Sequence, residues 1–196
     1  GGNEDATETY NGTWTEVNDM NTARHGIASV GQSNTAALAV GGSGGQALNE
    51  IWNGTNWTET GDLNTNRHTA AGAGTTTAGL IFGAGSPNAI TESWNGSSWT
   101  EVNDLNTGRA NIAGSGLQTA ALAFGGSPGR KTVTEDWNGV SWVEVADLST
   151  ARYDTTAVQQ GGTSNNLAIG GNAAPGQTNA TEEWNSPSNV VKTLTD

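Results

Sequence analysis

The chain has 196 residues, of which 33% are hydrophobic and 13% charged, and its formal net charge at pH 7 is −12. A surface this acidic repels phosphate backbones and anionic lipids, so we expect no nucleic-acid partner and no membrane insertion. The absence of cysteine excludes disulfides, thiolate metal sites and cysteine nucleophiles. The longest apolar runs, such as AALAV at 36–40, are far too short to span a bilayer.

One phrase, containing two aromatic residues, an aspartate and an arginine, occurs four times along the chain. Its copies read YNGTWTEVNDMNTAR at 10–24, WNGTNWTETGDLNTNR at 52–67, WNGSSWTEVNDLNTGR at 94–109 and WNGVSWVEVADLSTAR at 137–152. The first aromatic residues of these copies are 42, 42 and 43 residues apart. A fixed period of this length is typical of repeat proteins in which each copy forms one small structural unit.

Each period predicts four short β-strands separated by turn residues. No ten-residue stretch has the 3.6-residue apolar period of a helix. Asn-Gly at 53–54, 95–96 and 138–139 suits a tight hairpin between the third and fourth strands, because both residues tolerate positive φ. In the clearest copy the strands are RANIAGSG (109–116), QTAALAFGG (118–126), TVTEDWNG (132–139) and SWVEVADL (141–148).

The distribution of side-chain size predicts that these units pack radially. The first two strands of a copy contain small residues, as in HGIASVG (25–31) and TAALAVGG (35–42), whereas the last two carry the tryptophans. Units around an axis are crowded at the centre and spread at the rim, where rings that each bury roughly 150–250 Å² fill the wedge between neighbours. Four strands in about 42 residues match one blade of a β-propeller.

The order of arginine, small strand, apolar strand ending in Gly-Gly, Glu-x-aromatic, turn, tryptophan and Asp-Leu resembles the kelch repeat over essentially the whole chain. The resemblance implies an all-β, kelch-type β-propeller with four complete four-stranded blades plus a partial N-terminal blade. The copies are nearly identical, as in the kelch-like arrays of phage virion and environmental surface proteins, which implies a virion or extracellular location. The partial blade is 1–19, and the complete blades are 24–62, 67–104, 109–147 and 152–196.

The two ends of the array do not complete each other in this interpretation. Residues 1–19 supply only the third and fourth strands of an earlier blade. The last copy carries its own fourth strand, NVVKTLTD at 189–196, although Pro187 interrupts its turn and Asn189 replaces the second tryptophan. We therefore hypothesise that the chain is part of a longer one, or that another chain completes the ring.

Polar residues recur at three positions of the repeat. The glutamate and arginine positions permit either a structural ion pair within or between blades, which leaves Glu8 unmatched, or an arginine ring that binds an acidic or sugar ligand. We expect the aspartates to hydrogen-bond their own turns, and calcium is disfavoured because the alternating carboxylates of a calcium loop are absent. The positions are Glu8, Glu50, Glu92, Glu135 and Glu182; Arg24, Arg67, Arg109 and Arg152; and Asp19, Asp62, Asp104 and Asp147.

The residue after each arginine varies most between copies, being His25, His68, Ala110 and Tyr153. These residues begin the innermost strand near one mouth of the predicted channel, where propellers bind ligands. Drift at a tolerant loop position is the alternative explanation. The loops after Gly-Gly also vary, in length as well as composition.

The sequence therefore predicts a binding module for a host-surface glycan or a partner protein, with a structural component of a virion or appendage as the alternative. We expect no enzymatic activity, because the two histidines are repeat-equivalent and a copper site of the galactose-oxidase type needs a cysteine. We expect no metal or other cofactor. The candidate ligand-binding residues are His25, His68, Tyr153, Arg24, Arg67, Arg109 and Arg152.

Overall fold

The computed structural model describes residues 5–43, 46–85, 88–158 and 163–185, and these ranges contain β-strands and turns but no helix. The strands form five separate antiparallel sheets, numbered here 1 to 5 in chain order. Sheet 1 contains β1 (Thr7–Tyr10) and β2 (Trp14–Val17). Sheet 2 contains β3 (Ala28–Ser33), β4 (Ala36–Val40), β5 (Asn49–Trp52) and β6 (Trp57–Thr60). Sheet 3 contains β7 (Ala71–Thr75), β8 (Ala78–Ala84), β9 (Asn88–Trp94) and β10 (Trp99–Val102). Sheet 4 contains β11 (Ala113–Leu117), β12 (Ala120–Phe124), β13 (Thr134–Trp137) and β14 (Trp142–Glu144). Sheet 5 contains β15 (Thr156–Ala157), β16 (Asn165–Ile169) and β17 (Thr181–Asn185).

The predicted all-β class and the four-stranded unit are confirmed by sheets 2, 3 and 4. In each of these sheets the strands lie side by side in chain order, and each pairs antiparallel with the next. Sheet 5 has the first three of these strands within the described residues. The predicted fourth strand at 189–196, with Pro187 and Asn189, lies outside the described residues.

The hairpin between the third and fourth strands is wider than the sequence led us to expect. Trp52 lies directly opposite Trp57 in the register, so the connection has four residues rather than two. Only the glycine of Asn-Gly has a positive φ, which is 93° at Gly54. The Asn53 side-chain oxygen instead accepts hydrogen bonds of 2.9 Å from the backbone N–H groups of Thr55 and Asn56. The asparagine therefore caps the turn with its side chain, as in an Asx-turn.

The sheets stand side by side with their first strands toward a common centre. Strands β3, β7, β11 and β15 are successive neighbours across the sheets. Four short segments at 27–29, 70–72, 112–114 and 155–157 line a central cavity of about 310 Å³. Small residues dominate this lining, and the tryptophans lie on the outer strands. This arrangement agrees with the predicted gradient of side-chain size from centre to rim.

Apolar side chains from consecutive sheets interlock to form the core. Leu38 and Val40 on the second strand of sheet 2 cluster with the buried tryptophans of sheet 3, Trp94 and Trp99. The junction between sheets 3 and 4 repeats this packing. There the Phe82 ring contacts the Trp142 ring edge to face, with the ring centroids 4.8 Å apart. Sheets 2 and 3 thus each present their second strand to the tryptophan pair of the sheet that follows.

Glycine pairs permit the closest approach between neighbouring sheets. Gly41, which ends the apolar second strand of sheet 2, has a φ of 67°. A Cβ atom at this position would lie 2.4 Å from the backbone oxygen of Arg67. The N–H group of Gly42 donates a 3.0 Å hydrogen bond to that oxygen, and Gly126 donates likewise to Arg152. The Gly-Gly signature of the repeat is therefore a contact between neighbouring sheets as well as a strand end.

Candidate functional site

Each recurrent arginine is buried inside its own sheet. The Arg109 guanidinium is fully enclosed and donates to the carboxylate of Glu135 at 2.8 Å. It also donates to the backbone oxygens of Gly125 and Val133, at 2.9 and 2.7 Å. Equivalent ion pairs join Arg24 to Glu50, Arg67 to Glu92 and Arg152 to Glu182. These ion pairs lie within single sheets, as in the structural interpretation, and the four arginines are buried and do not form a ring open to solvent.

Burial and pairing act in opposite directions on the ionisation of these groups. Burial alone would raise the pKa of Glu50, but hydrogen bonds from Arg24 and Asn21 outweigh it and lower that pKa. Burial lowers the pKa of Arg109, and the charge of Glu135 acts against this change. A buried carboxylate–guanidinium pair of this kind is held by its hydrogen-bonding surroundings, because either charge alone would be costly to bury.

An asparagine that the sequence analysis did not single out completes each ion pair. Asn64 donates to Glu92 from both its backbone N–H and its side-chain amide, each at 2.8 Å. The same amide donates to the backbone oxygen of Trp99 at 2.9 Å. Asn21 and Asn106 make the equivalent contacts, and the backbone N–H of Ser149 donates to Glu182 at 2.6 Å in the fourth copy. The constant position of this asparagine, three residues before the arginine in three of the copies, was the signal in the sequence that could have identified it.

The recurrent aspartates hydrogen-bond a neighbouring strand, which corrects the expectation that they cap their own turns. Asp104 accepts a 3.1 Å hydrogen bond from the backbone N–H of Thr91 on β9, the third strand of sheet 3. Asp147 accepts equivalently from Thr134, and also from the hydroxyl of Thr132 at 2.8 Å. These residues fix the third strand of their own sheet. Within the described ranges there is no cluster of three or more His, Asp or Glu side chains that could hold a metal ion.

Main-chain hydrogen bonds join the two variable regions of the repeat to each other. The backbone N–H of Ser43, directly after Gly-Gly, donates to the carbonyl of His25 at 2.7 Å. In sheet 5, Asn172 and Tyr153 exchange two such bonds, of 2.8 and 3.2 Å. Equivalent pairs link Gly85 to His68 and Ser127 to Ala110. The positions that vary after the arginine and after Gly-Gly therefore lie together on one face of the molecule.

A ladder of backbone hydrogen bonds runs across this face from sheet to sheet. Thr69 donates to the carbonyl of Gly26 at 2.8 Å, Asn111 to that of Thr69 at 3.0 Å, and Asp154 to that of Asn111 at 3.1 Å. All four residues have φ between 50 and 66°, a conformation that is unusual for threonine and is often found at functional sites. Each variable residue directly precedes one of these four ladder residues. The ladder therefore holds the variable residues at the same height in consecutive sheets.

The three variable candidates differ in how they lie on this variable face. His25 is exposed and Tyr153 is half-buried. The half-buried His68 ring lies against Gly85, where an added Cβ would fall 2.3 Å from the imidazole Nε2. The fourth position, Ala110, is buried and contributes no polar group. The side chains available to a ligand are therefore those of sheets 2, 3 and 5.

A polar cavity lies among the loops of sheet 5 on the variable face, beside the sheet 4 loop that carries Arg130, and is called here the sheet 4–5 cavity. Its volume is about 310 Å³, and it is lined by Asp154, Gly171, Asn172, Gln177 and Thr178. The guanidinium of Arg130, from the variable loop of sheet 4, donates to the Asn172 side-chain oxygen at 2.7 and 3.2 Å. The same guanidinium lies 6.0 Å from the centre of the Tyr153 ring. A carboxylate and two side-chain amides thus line this cavity, and the Arg130 guanidinium and the Tyr153 ring lie beside it.

Comparison with known proteins assigns no family to the chain. No protein-family model matches it, and no curated protein matches it significantly. In the described part of the chain, no helix is long and apolar enough to cross a membrane.

Proposed function

We propose that this chain is a non-enzymatic binding module built as a kelch-type β-propeller, exposed on a virion or extracellular surface. Its target is a host-surface glycan or a partner protein, bound on the variable face. The observation that carries this proposal is the separation of constant from variable residues. The recurrent arginines and the tryptophans of sheets 3 and 4 are buried in and between the sheets, whereas the residues that differ between copies share one face. A rigid scaffold that displays varied loops suits recognition.

The sheet 4–5 cavity suits a ligand rich in hydroxyl groups. Side-chain amides such as those of Asn172 and Gln177 can both donate and accept, and a carboxylate such as that of Asp154 can accept hydrogen bonds from two neighbouring hydroxyls of a sugar. The Tyr153 ring supplies an apolar surface for the C–H face of a sugar. With a net charge of −12 on the chain, we expect a neutral sugar to bind better than a strongly acidic one.

A glycan screen tests the proposal. The wild-type protein is compared with Tyr153→Ala and with Asp154→Asn, which alter the stacking surface and the carboxylate separately. We expect binding of a neutral glycan to weaken in both variants by at least about tenfold, the effect of losing one central contact. Val140→Ala is the matched control, because Val140 is exposed in the outer hairpin of sheet 4 and lies away from the variable face.

The outcome also separates a glycan from a protein target. Failure of the wild-type protein to bind any glycan would contradict glycan recognition. Equal binding by wild type, Tyr153→Ala and Asp154→Asn would contradict the assignment of the site to the variable face. The alternative function, a structural component of a virion or appendage, is favoured by the exposed aromatic pair of sheet 1, Tyr10 and Trp14.

A further inference from the structure

One face of sheet 5 is exposed, whereas the equivalent face of sheets 2, 3 and 4 is buried. Ile169 on β16 is 41% exposed, whereas Val40, Phe82 and Phe124 at the equivalent position of sheets 2, 3 and 4 are buried. The same contrast holds on the first strand, where Val158 is 41% exposed and its equivalents Val30, Ala73 and Ser115 are buried. It holds also on the third strand, where Thr181 is exposed and its equivalents Asn49, Thr91 and Thr134 are buried. We call this the trailing face. In sheets 2 and 3 it contacts the tryptophan pair of the next sheet, and in sheet 4 it packs with Ala168 and Trp184 of sheet 5.

Sheet 1 has the opposite deficiency. Tyr10 and Trp14 form a ring pair with centroids 5.3 Å apart, like the pairs of sheets 2, 3 and 4. Their exposed fractions are 56% and 67%, whereas both tryptophans of sheet 3 are buried. We call this exposed aromatic surface of sheet 1, formed by Tyr10 and Trp14, the leading face. The aromatic pairs of sheets 3 and 4 pack against the second strand of the preceding sheet, whereas within the described residues the pair of sheet 1 has no such strand against it.

We propose that the leading face of sheet 1 binds the trailing face of sheet 5 in a second copy of this chain, head to tail. The junction would continue the inter-sheet interface that the molecule already contains. In this arrangement Trp14 covers Ile169 of the second copy as Trp142 covers Phe82. This inference does not depend on the proposed ligand-binding function, because neither face includes the variable residues.

A hydrogen bond at the internal junctions supports the fit. The indole N–H of Trp57 donates to the hydroxyl of Thr7 in the preceding sheet at 3.0 Å, and Trp142 donates to Thr91 at the same distance. Thr181 is the equivalent threonine on the trailing face. We therefore expect the Trp14 indole to donate to the Thr181 hydroxyl of the second copy.

The size and symmetry of the junction set its expected behaviour. Two aromatic side chains bury roughly 150–250 Å² each, which is less than the ~800 Å² per partner of a standard stable interface. The contact is therefore weak, and association should depend on protein concentration. Because the two faces differ, the contact is heterologous and produces rings or open chains of copies according to the angle between them.

Complementation between two variants tests the proposal. Trp14→Glu removes the leading face and Ile169→Glu removes the trailing face, so each variant alone should sediment as a monomer at concentrations where the wild type associates. A mixture of the two retains one intact face of each kind and should form a 1:1 dimer that grows no further. We expect each single substitution to weaken self-association by at least about tenfold, as for a central interface residue.

Val140→Glu supplies the matched control. It introduces the same charge at an exposed apolar residue outside both faces, and it should associate like the wild type. Circular dichroism establishes that all three variants are folded. A wild-type protein that remains monomeric at every accessible concentration would overturn the proposal. So would a mixture of folded variants that yields no heterodimer, since a head-to-tail junction requires it.

Discussion

Removal of the Arg109 guanidinium tests how the sheets are held. In Arg109→Met the Glu135 carboxylate keeps its hydrogen bonds from Asn106 but loses its charge partner. The Gly125 carbonyl loses the guanidinium as a donor, and the Val133 carbonyl keeps the N–H of Gly125 as its donor. Breaking one partner of a buried ion pair costs about 3–5 kcal/mol. The two hydrogen bonds lost to these carbonyls put the expected loss at the upper end of that range. Urea unfolding followed by circular dichroism, compared with the exposed-site variant Arg130→Met, measures the loss.

The expected results differ clearly between these variants and a third. Arg130→Met should change the free energy of unfolding by less than about 0.5 kcal/mol, because Arg130 is exposed. Arg109→Met/Glu135→Leu should be more stable than Arg109→Met alone, since it removes the unpaired buried charge. A loss of less than about 1 kcal/mol in Arg109→Met would refute the reasoning that the pair and its carbonyl contacts hold sheet 4 together.

Two further predictions concern a polar mismatch and pH. Asn49→Thr should stabilise the protein by about 1–2 kcal/mol in urea unfolding, because Trp99 Nε1 and Asn49 Oδ1 are buried without partners and threonine accepts the indole N–H at two other junctions. Glu50→Gln should destabilise the protein at pH 7, and its difference from wild type should shrink below pH 4.5. The lowered pKa of Glu50 means that its stabilisation is present above the ordinary value and is lost on acidification.

Each of these two predictions has a clear contrary result. Asn49→Thr without a gain in stability would indicate that the indole N–H of Trp99 already has an adequate environment. Asn49→Ala is the matched control and should give no gain, because it removes the orphaned oxygen without supplying an acceptor to the indole. A difference between wild type and Glu50→Gln that stays constant from pH 7 to pH 3 would contradict the role of the ionised carboxylate.

The sequence predicted most accurately those features that the repeat forces to be constant. The period located the strands, and the recurrence of Glu135 with Arg109 favoured the ion pair that the structure contains. The prediction that Asp104 caps its own turn was wrong, because its hydrogen bond to a neighbouring strand depends on sheet register, which spacing along the chain does not reveal. The role of Asn64 was missed for the same reason, since Glu92 is 28 residues away.

The candidate site was only partly predictable. Variation after each arginine identified Tyr153, but variation alone does not indicate which other residues lie nearby. The contact of Arg130 with Asn172 joins residues 42 positions apart in different sheets, and the composition of these loops gave no sign of it. Such contacts follow from the packing of sheet 4 against sheet 5. The chemistry of the sheet 4–5 cavity could therefore be read only from the fold.

The claim that the variable face binds a ligand is tested most directly by hydrogen–deuterium exchange with the glycan that the screen selects. The account predicts that the glycan slows exchange at residues 153–154 and 171–178, around the sheet 4–5 cavity. Exchange in the outer hairpin at 138–141 should not change. Slower exchange at 138–141, with no change around the cavity, would contradict the account.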